Sequence, residues 1–145
     1  MDLLANLIVE PQLAPIKYRI SAAIIDFLIL WLISFPMGYL FGDYYVYEDS
    51  VGYHLSGFPA FILFIIEFGL ISIQEGLTGK TIGKRIVKIK VMKEDFSENS
   101  VTASIVRHLF DIIDMILLVG IIVAAAGQKK QRIGDLIAKT IVVID

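Results

Sequence analysis

Three long apolar segments, separated by polar stretches, dominate the sequence. The first covers residues 20–42 and the second residues 58–75, and single acidic residues interrupt them, Asp26 and Glu67. A helix over the first segment is about 34 Å long at about 1.5 Å per residue, enough for a hydrocarbon core of about 30 Å. The pattern therefore predicts two membrane-spanning helices. Pro36 removes one backbone donor from the first and predicts a kink there.

The third apolar segment, residues 103–127, is more polar in its first half. That half contains four charged or ionisable side chains: Arg107, His108, Asp111 and Asp114. The apolar remainder is too short to span a bilayer alone. Two interpretations are open, a broken or re-entrant helical hairpin that turns near Gly120 and a single crossing. We favour the hairpin, because it keeps the basic tail, residues 128–145, on the side of the N-terminus.

The placement of the basic residues predicts the topology. All thirteen Lys and Arg residues lie outside the loop 43–57, which contains acids, a histidine and four tyrosines. Six of the thirteen lie in the loop 76–102. By the positive-inside rule, we expect a multi-pass protein of the cell membrane whose N-terminus, basic loop and C-terminus are cytoplasmic. The tyrosine-rich loop is then external, where aromatic side chains suit the interface.

The composition agrees with a membrane protein of one domain over residues 1–145. The chain is 57% hydrophobic and 19% charged, which is more apolar than usual soluble domains. We expect an all-α integral membrane fold: two firm transmembrane helices and a third charged, broken or re-entrant helical segment. The β-branched alternation in "RIVKIKVM" and "TIVVID" also predicts two short strands, which can pair as a small cytoplasmic β-ribbon.

Several functional classes are excluded by their missing residues. The chain has no cysteine, so thiolate chemistry and cysteine metal sites are absent. The string "GLTGKTIGK" resembles a phosphate-binding loop, but Gln74 stands where that motif requires glycine. We interpret it as a glycine-rich turn whose lysines face anionic lipid head groups. No catalytic constellation is present, so we expect no enzyme activity, no cofactor, no bound metal and no nucleic-acid partner.

The charges inside the apolar segments are the candidate functional residues. Arg19 precedes Asp26 by seven residues, and Arg107 precedes Asp114 by the same spacing, an echo too short to predict a repeated fold unit. A charge at mid-bilayer costs about 2.5–3.5 kcal/mol on insertion scales, so these groups must face one another or water. The arginine of the first pair can extend to the cytoplasmic head groups, whereas its aspartate is too short to do so.

Two functions are compatible with these charges. The first is transport or permeation of a small cation or proton, in which intramembrane carboxylates bind the ion. The alternative is a non-transporting scaffold or accessory subunit, in which arginines and aspartates clamp neighbouring helices together. The residues concerned are Arg19, Asp26, Glu67, Arg107, Asp111 and Asp114. We expect Asp26 to lie inward, close to at least one of Arg107, Asp114 and Glu67. Three segments are too few to enclose a path, so we expect a homo-oligomer.

Three blocks together resemble the RDD family of small integral membrane proteins. They are the Arg19–Asp26 pair, "GLTGKTIGKRIVKIKVM" after the second helix and "RIGDLIAKTIVV" near the end, which contains Asp135 next to the basic stretch with Arg132. The family is named for one arginine and two aspartates. The resemblance implies that Arg19 and Asp26 are the first two, and that the second aspartate is Asp135 or Asp114, of which we prefer Asp135. It also implies a membrane location and suggests transport, with cation–proton exchange for some members.

Overall fold

The structure is a computed structural model that describes residues 11–117, 123–124 and 127–145, with side chains in the third segment described as far as Asp111 and again at 123–124. The elements are α1 (Ile16–Phe41), β1 (Asp43–Tyr47), β2 (Ser50–His54), α2 (Gly57–Thr78), α3 (Ile82–Ile86), β3 (Ile89–Lys93), α4 (Val101–Leu117), α5 (Ile133–Ile137) and β4 (Thr140–Ile144). The predicted turn near Gly120 and the side chain of Asp114 lie outside the described residues.

Helices α1 and α2 are long and apolar enough to cross a membrane, as predicted. They have 26 and 22 residues, against the roughly 20 that a spanning helix needs. Most of their side chains, including Phe27 and Leu32, are exposed in the isolated chain, which suits a lipid environment. The first helix starts at Ile16, earlier than the pattern predicted, and includes Pro36. The kink at this proline stays a prediction.

The external loop of the sequence analysis contains a β-hairpin that was not predicted. Strands β1 and β2 pair antiparallel from Asp43↔His54 to Tyr47↔Ser50, so only two residues form the turn. Tyr53 anchors the hairpin on α1, because a Cβ built on Gly38 would lie 1.7 Å from its ring. The fold is therefore mostly helical, but the all-α expectation is wrong in this loop, where tyrosine and valine favour extended backbone.

The predicted β-ribbon is confirmed. Strands β3 and β4 pair antiparallel, with Val91 opposite Val142 at the centre, and both of these side chains are buried. The segment before α1 lies alongside β4 as a third extended segment of this ribbon, since the Ala14 N–H donates to the Val142 carbonyl at 2.9 Å. The start of the described chain, the ribbon and the C-terminal strand therefore lie together at one end of the molecule.

The ribbon belongs to an internal repeat that the sequence analysis did not predict. The segments α3–β3 and α5–β4 share the pattern Ile-Gly-x-x-Ile-x-Lys, and the second copy lies 51 positions after the first. The lysine between helix and strand has a positive φ in both, 56° at Lys88 and 52° at Lys139. The strand register is symmetric about its centre. The first pair, Ile89 and Ile144, becomes the last pair, Thr140 and Lys93, when each residue is replaced by its equivalent in the other copy. A local twofold axis therefore relates the two units.

Each unit of the repeat packs its glycine against the backbone of a long helix. A Cβ built on Gly83 would lie 2.2 Å from the Ala22 carbonyl oxygen of α1. One built on Gly134 would lie 2.7 Å from the Arg107 carbonyl oxygen of α4. Because only glycine permits such approaches, the two short helices are fixed on α1 and α4 in the same manner.

The repeat identifies Asp111 as the counterpart of Asp26. Asp26 lies four positions, about one helical turn, after Ala22, which contacts Gly83. Asp111 lies four positions after Arg107, which contacts Gly134. Each also contacts the residue two positions before that glycine, Thr81 for Asp26 and Arg132 for Asp111. The equal Arg–Asp spacing in the sequence suggested that Asp26 is equivalent to Asp114. In the structure, Asp26 is equivalent to Asp111.

The chain enters and leaves the third segment at the ribbon end. Helix α4 begins beside the end of α2, where a Cβ on Gly76 would lie 2.3 Å from Val101 Cα. After the segment, α5 packs near Arg107 in the second turn of the same helix. The two ends of the third segment are therefore close together in space.

Candidate functional site

A buried group of ionised side chains connects α1, α2, α3, α4 and α5 at the ribbon end. We call it the charge cluster, and its members are Arg19, Glu75, Lys84, Arg107, His108, Asp111, Arg132 and Asp135. Buried charges cost several kcal/mol each unless they are paired and hydrogen-bonded. The arrangement of these pairs therefore decides which of the charges are structural.

Arg107 is the centre of the charge cluster and is completely buried. Its Nη1 donates to Glu75 Oε1 at 2.7 Å, and its Nε donates to Asp135 Oδ1 at 2.9 Å. One guanidinium thus joins the last turns of α2 to α5. This is a clamp of the type that the sequence suggested, but its partners differ from the intramembrane aspartates that were expected.

Glu75 is fully buried and has a donor for each carboxylate oxygen. Lys84 pairs with Oε2, while the Ser104 hydroxyl donates to Oε1 at 3.2 Å. Asn99 supports this hydroxyl with a hydrogen bond of 2.8 Å. Burial lowers the pKa of Lys84, although the neighbouring carboxylate of Glu75 opposes that change. Lys84 therefore does not face lipid head groups, contrary to the expectation for this loop.

Asp135 accepts hydrogen bonds from two arginines and one backbone amide. Arg107 Nε and Arg19 Nη2 donate to different oxygens, and the Arg132 N–H donates to Oδ2 at 3.0 Å. Burial acts to raise the pKa of Asp135, but the charges of Arg107 and Arg19 outweigh it and hold that pKa well below its usual range. Arg19, which also donates to the Lys130 carbonyl, is thus bound inside the protein rather than extended to head groups.

The remaining members form a chain of contacts along the edge of the charge cluster. His108 Nδ1 lies 2.7 Å from Asp111 Oδ2, and Arg132 Nη1 lies 3.0 Å from Asp111 Oδ1. His108 Nε2 lies 3.4 Å from Glu75 Oε1. Asp111 therefore fixes the histidine of α4 and the arginine before α5 in one orientation.

A cavity of about 600 Å³ adjoins the charge cluster between α1 and α2. Cluster residues such as Arg19 and Arg107 line it at the ribbon end, and Leu30 and Phe64 line it further along the helices. Two carboxylates that do not belong to the cluster also line it, Asp26 and Glu67. The sequence analysis had placed these two inside the membrane segments.

Asp26 and Glu67 are bound by hydroxyl and amide donors. Asp26 accepts from Thr81 Oγ1 at 2.5 Å and from the Gly83 N–H at 2.7 Å, and Glu67 accepts from Ser34 Oγ at 2.5 Å. In the part of the chain that the structure describes, neither has a Lys or Arg nitrogen within 4.0 Å. Asp26 thus lines a cavity that Arg107 and Glu67 also line, but it bonds to the start of α3, and its closeness to either residue stays a prediction.

Sequence reasoning missed Glu75, Lys84 and Thr81. The glutamate is the last residue of the predicted second helix and was not singled out, and the lysine was interpreted as a head-group contact. The repeat contained the signal, because Lys84 and Asp135 occupy equivalent positions in its two copies. Comparing "TIGKRIVK" with "RIGDLIAK" would have singled out both as oppositely charged residues beside a tightly packed glycine.

Comparison with known proteins gives one positive result. No curated protein and no solved structure matches the chain. Residues 13–139 match the RDD family, a range that includes α1, α2 and all the members of the charge cluster. The match covers most of the chain and agrees with two helices long enough to span a membrane. The chain is therefore a membrane protein that belongs to the RDD family.

Proposed function

We propose that this protein is a transport or permeation subunit for a proton or small cation, in which Asp26 and Glu67 are the carboxylates that bind the ion. One observation carries the proposal. The arginines of the charge cluster form ion pairs with Glu75, Asp111 and Asp135, whereas the two cavity carboxylates have no Lys or Arg nitrogen within 4.0 Å among the described residues. The clamp and the ion site are therefore different sets of residues.

The surroundings of Glu67 support ion binding. It lies in the middle of α2, is half-buried, lines the cavity and accepts a hydrogen bond from the Ser34 hydroxyl. A carboxylate inside a membrane segment is costly, so ionisable groups there mark ion pathways by default. Carboxylate and hydroxyl oxygens are also suitable ligands for hard cations.

The proposal extends to orientation and assembly. Both ends of the third segment lie at the ribbon end, which supports a re-entrant segment and an arrangement in which the start of the described chain, the basic loop and the C-terminus share one side of the membrane. The basic residues concentrated there favour the cytoplasm. Arg85 and Lys88 are exposed on this loop and are suited to anionic lipid head groups. Two spanning helices cannot enclose a path, so we propose that the working form is a homo-oligomer within the bilayer.

The test is ion-driven proton flux in liposomes that contain the purified protein, a pH-sensitive dye and an inward gradient of Na⁺ or K⁺. Glu67→Gln and Asp26→Asn keep size and hydrogen bonding but cannot bind an ion as a carboxylate does. We expect both to reduce the flux to the level of empty liposomes. Glu98→Gln, a change of the same type at an exposed loop position, should retain full flux.

A scaffold or accessory subunit is the second candidate function. The well-paired charge cluster favours it, because a clamp that joins several helices stabilises a fixed arrangement. Absence of flux from the wild-type protein with every cation tested, together with a stable oligomer, would support this alternative. We propose no catalytic role and no cofactor for either function.

A further inference from the structure

Two buried guanidinium N–H groups of the charge cluster have no hydrogen-bond partner among the described residues, Arg107 Nη2 and Arg132 Nε. Both residues line the cavity between α1 and α2, and Arg107 is completely buried. A buried donor without an acceptor costs about 1–3 kcal/mol, and more when the donor is charged. Two such charged donors on one cavity indicate that an acceptor group binds there.

The charge balance of the cluster has the matching sign. Four Lys and Arg residues are joined by ion pairs to three carboxylates: Arg19, Lys84, Arg107 and Arg132 to Glu75, Asp111 and Asp135. One positive charge is in excess when His108 is neutral. The other cavity carboxylates, Asp26 and Glu67, form no ion pair with these cations. A single bound anion would balance the cluster, and an uncompensated buried charge is otherwise costly.

Most of the remaining lining of the cavity is apolar, apart from Asp26, Glu67 and Thr81. Ile20, Ile24, Phe27 and Phe68 line it beyond the charged end, along the two helices that span the membrane. A volume of about 600 Å³ is within the usual range of small-molecule sites. A ligand that fills it therefore combines an anionic end with a hydrocarbon portion.

We propose that the charged end of this cavity binds an oxyanion head group, a phosphate or carboxylate, of an amphiphile whose apolar tail lies between α1 and α2. Arg107 Nη2 and Arg132 Nε donate to the oxyanion, while Asp111 holds the Arg132 side chain through its Nη1. The site goes beyond the proposed ion transport, because its donors differ from the carboxylates assigned to the ion. An anionic lipid and free phosphate share this head-group chemistry.

The experiment measures binding to the purified protein in detergent with three probes. They are short-chain phosphatidylglycerol, phosphatidylcholine of the same chain length, and inorganic phosphate. Thermal melting gives the shift on binding, and native mass spectrometry gives the number of lipids retained. We expect phosphatidylglycerol to bind at least tenfold more tightly than phosphatidylcholine, because both carry a phosphodiester but the choline ammonium leaves phosphatidylcholine without the net negative charge that balances the cluster.

One variant and one control locate the site. Arg132→Gln should weaken phosphatidylglycerol binding roughly tenfold. Arg132→Gln should still fold, because Asp135 accepts from the backbone of Arg132 rather than from its side chain. Lys129→Gln removes the same charge from an exposed pair with Glu94 and should bind as the wild type does.

The phosphate arm identifies the source of the oxyanion. Stabilisation by phosphatidylglycerol that Arg132→Gln removes supports the amphiphile, whereas stabilisation by phosphate alone would overturn the apolar tail and leave a site for a free anion. Equal binding of the two lipids with no effect of phosphate, or equal losses in Arg132→Gln and Lys129→Gln, would overturn the proposal. Flux through Glu67→Gln is a separate readout, so failure of one proposal leaves the other testable.

Discussion

A single guanidinium determines how the helices of this protein meet. Arg107 donates to carboxylates from α2 and α5 and has no exposed surface. Attraction between these charges is strong in a low-dielectric interior, but the cost of burying them is also high. Such a group therefore contributes little net stability while it is paired, and it becomes strongly destabilising when one partner is removed.

The first prediction follows from this asymmetry. Arg107→Met keeps much of the side-chain volume but leaves Glu75 and Asp135 without their shared partner, so the free energy of unfolding should fall by about 3–5 kcal/mol. Lys129→Met breaks an exposed pair with Glu94 and should change it by only about 0–1 kcal/mol. Thermal and chemical unfolding in the same detergent measure both. Equal stability of the two variants would show that the central arginine is not a clamp.

At the residue scale the sequence predicts which side chains are unusual better than it predicts their partners. Arg19 and Asp135 were both identified from the family motif, and the structure joins them in an ion pair. Their pairing depends on a contact between residues far apart in the chain, and no local pattern contains that information. The same reason explains why Glu75 was missed, since a glutamate at a helix end is usually solvated.

At the scale of elements, hydrophobic length predicted α1 and α2, and alternation predicted the strands β3 and β4. These signals are local, because each of these elements is predicted by the hydrophobic pattern of its own residues. The β1–β2 hairpin was missed because its strands are short and exposed, and because its turn lacks glycine. The repeat of α3–β3 in α5–β4 was missed because it involves a short segment of few identical residues.

The repeat predicts matched effects at its two glycines. Gly83→Ala and Gly134→Ala place a methyl group against backbone oxygens at 2.2 and 2.7 Å, so each should destabilise the fold by about 1–3 kcal/mol through overpacking. Gly69→Ala in α2 is the control, because nothing lies within 4 Å of the added atom. It should be neutral or stabilise the helix by about 0.5–1 kcal/mol. Unfolding midpoints of the three variants decide whether both short helices depend on this contact.

At the scale of the whole molecule, the equivalent elements of the two halves point in the same direction. Each half begins with a long helix that leaves the ribbon end and finishes with a short helix and strand at that end. Repeats of this kind that share one orientation are typical of axes along the membrane normal. This arrangement agrees with the proposed orientation, since it keeps the start of the described chain, the basic loop and the C-terminus on a single side.

Cysteine accessibility tests that topology directly, because the natural sequence has no cysteine. Ser50 in the β1–β2 hairpin and Ser97 in the basic loop are both exposed, so only the side of the membrane should determine their reactivity. We expect Ser50→Cys to react with an impermeant maleimide in intact cells, and Ser97→Cys to react only after the membrane is opened. A cysteine added after Asp145 should behave like Ser97→Cys, because β4 pairs with β3 next to that loop. Labelling of the added cysteine from outside, with Ser97→Cys protected, would contradict the ribbon as well as the topology, since the paired strands cannot lie on opposite sides of a bilayer.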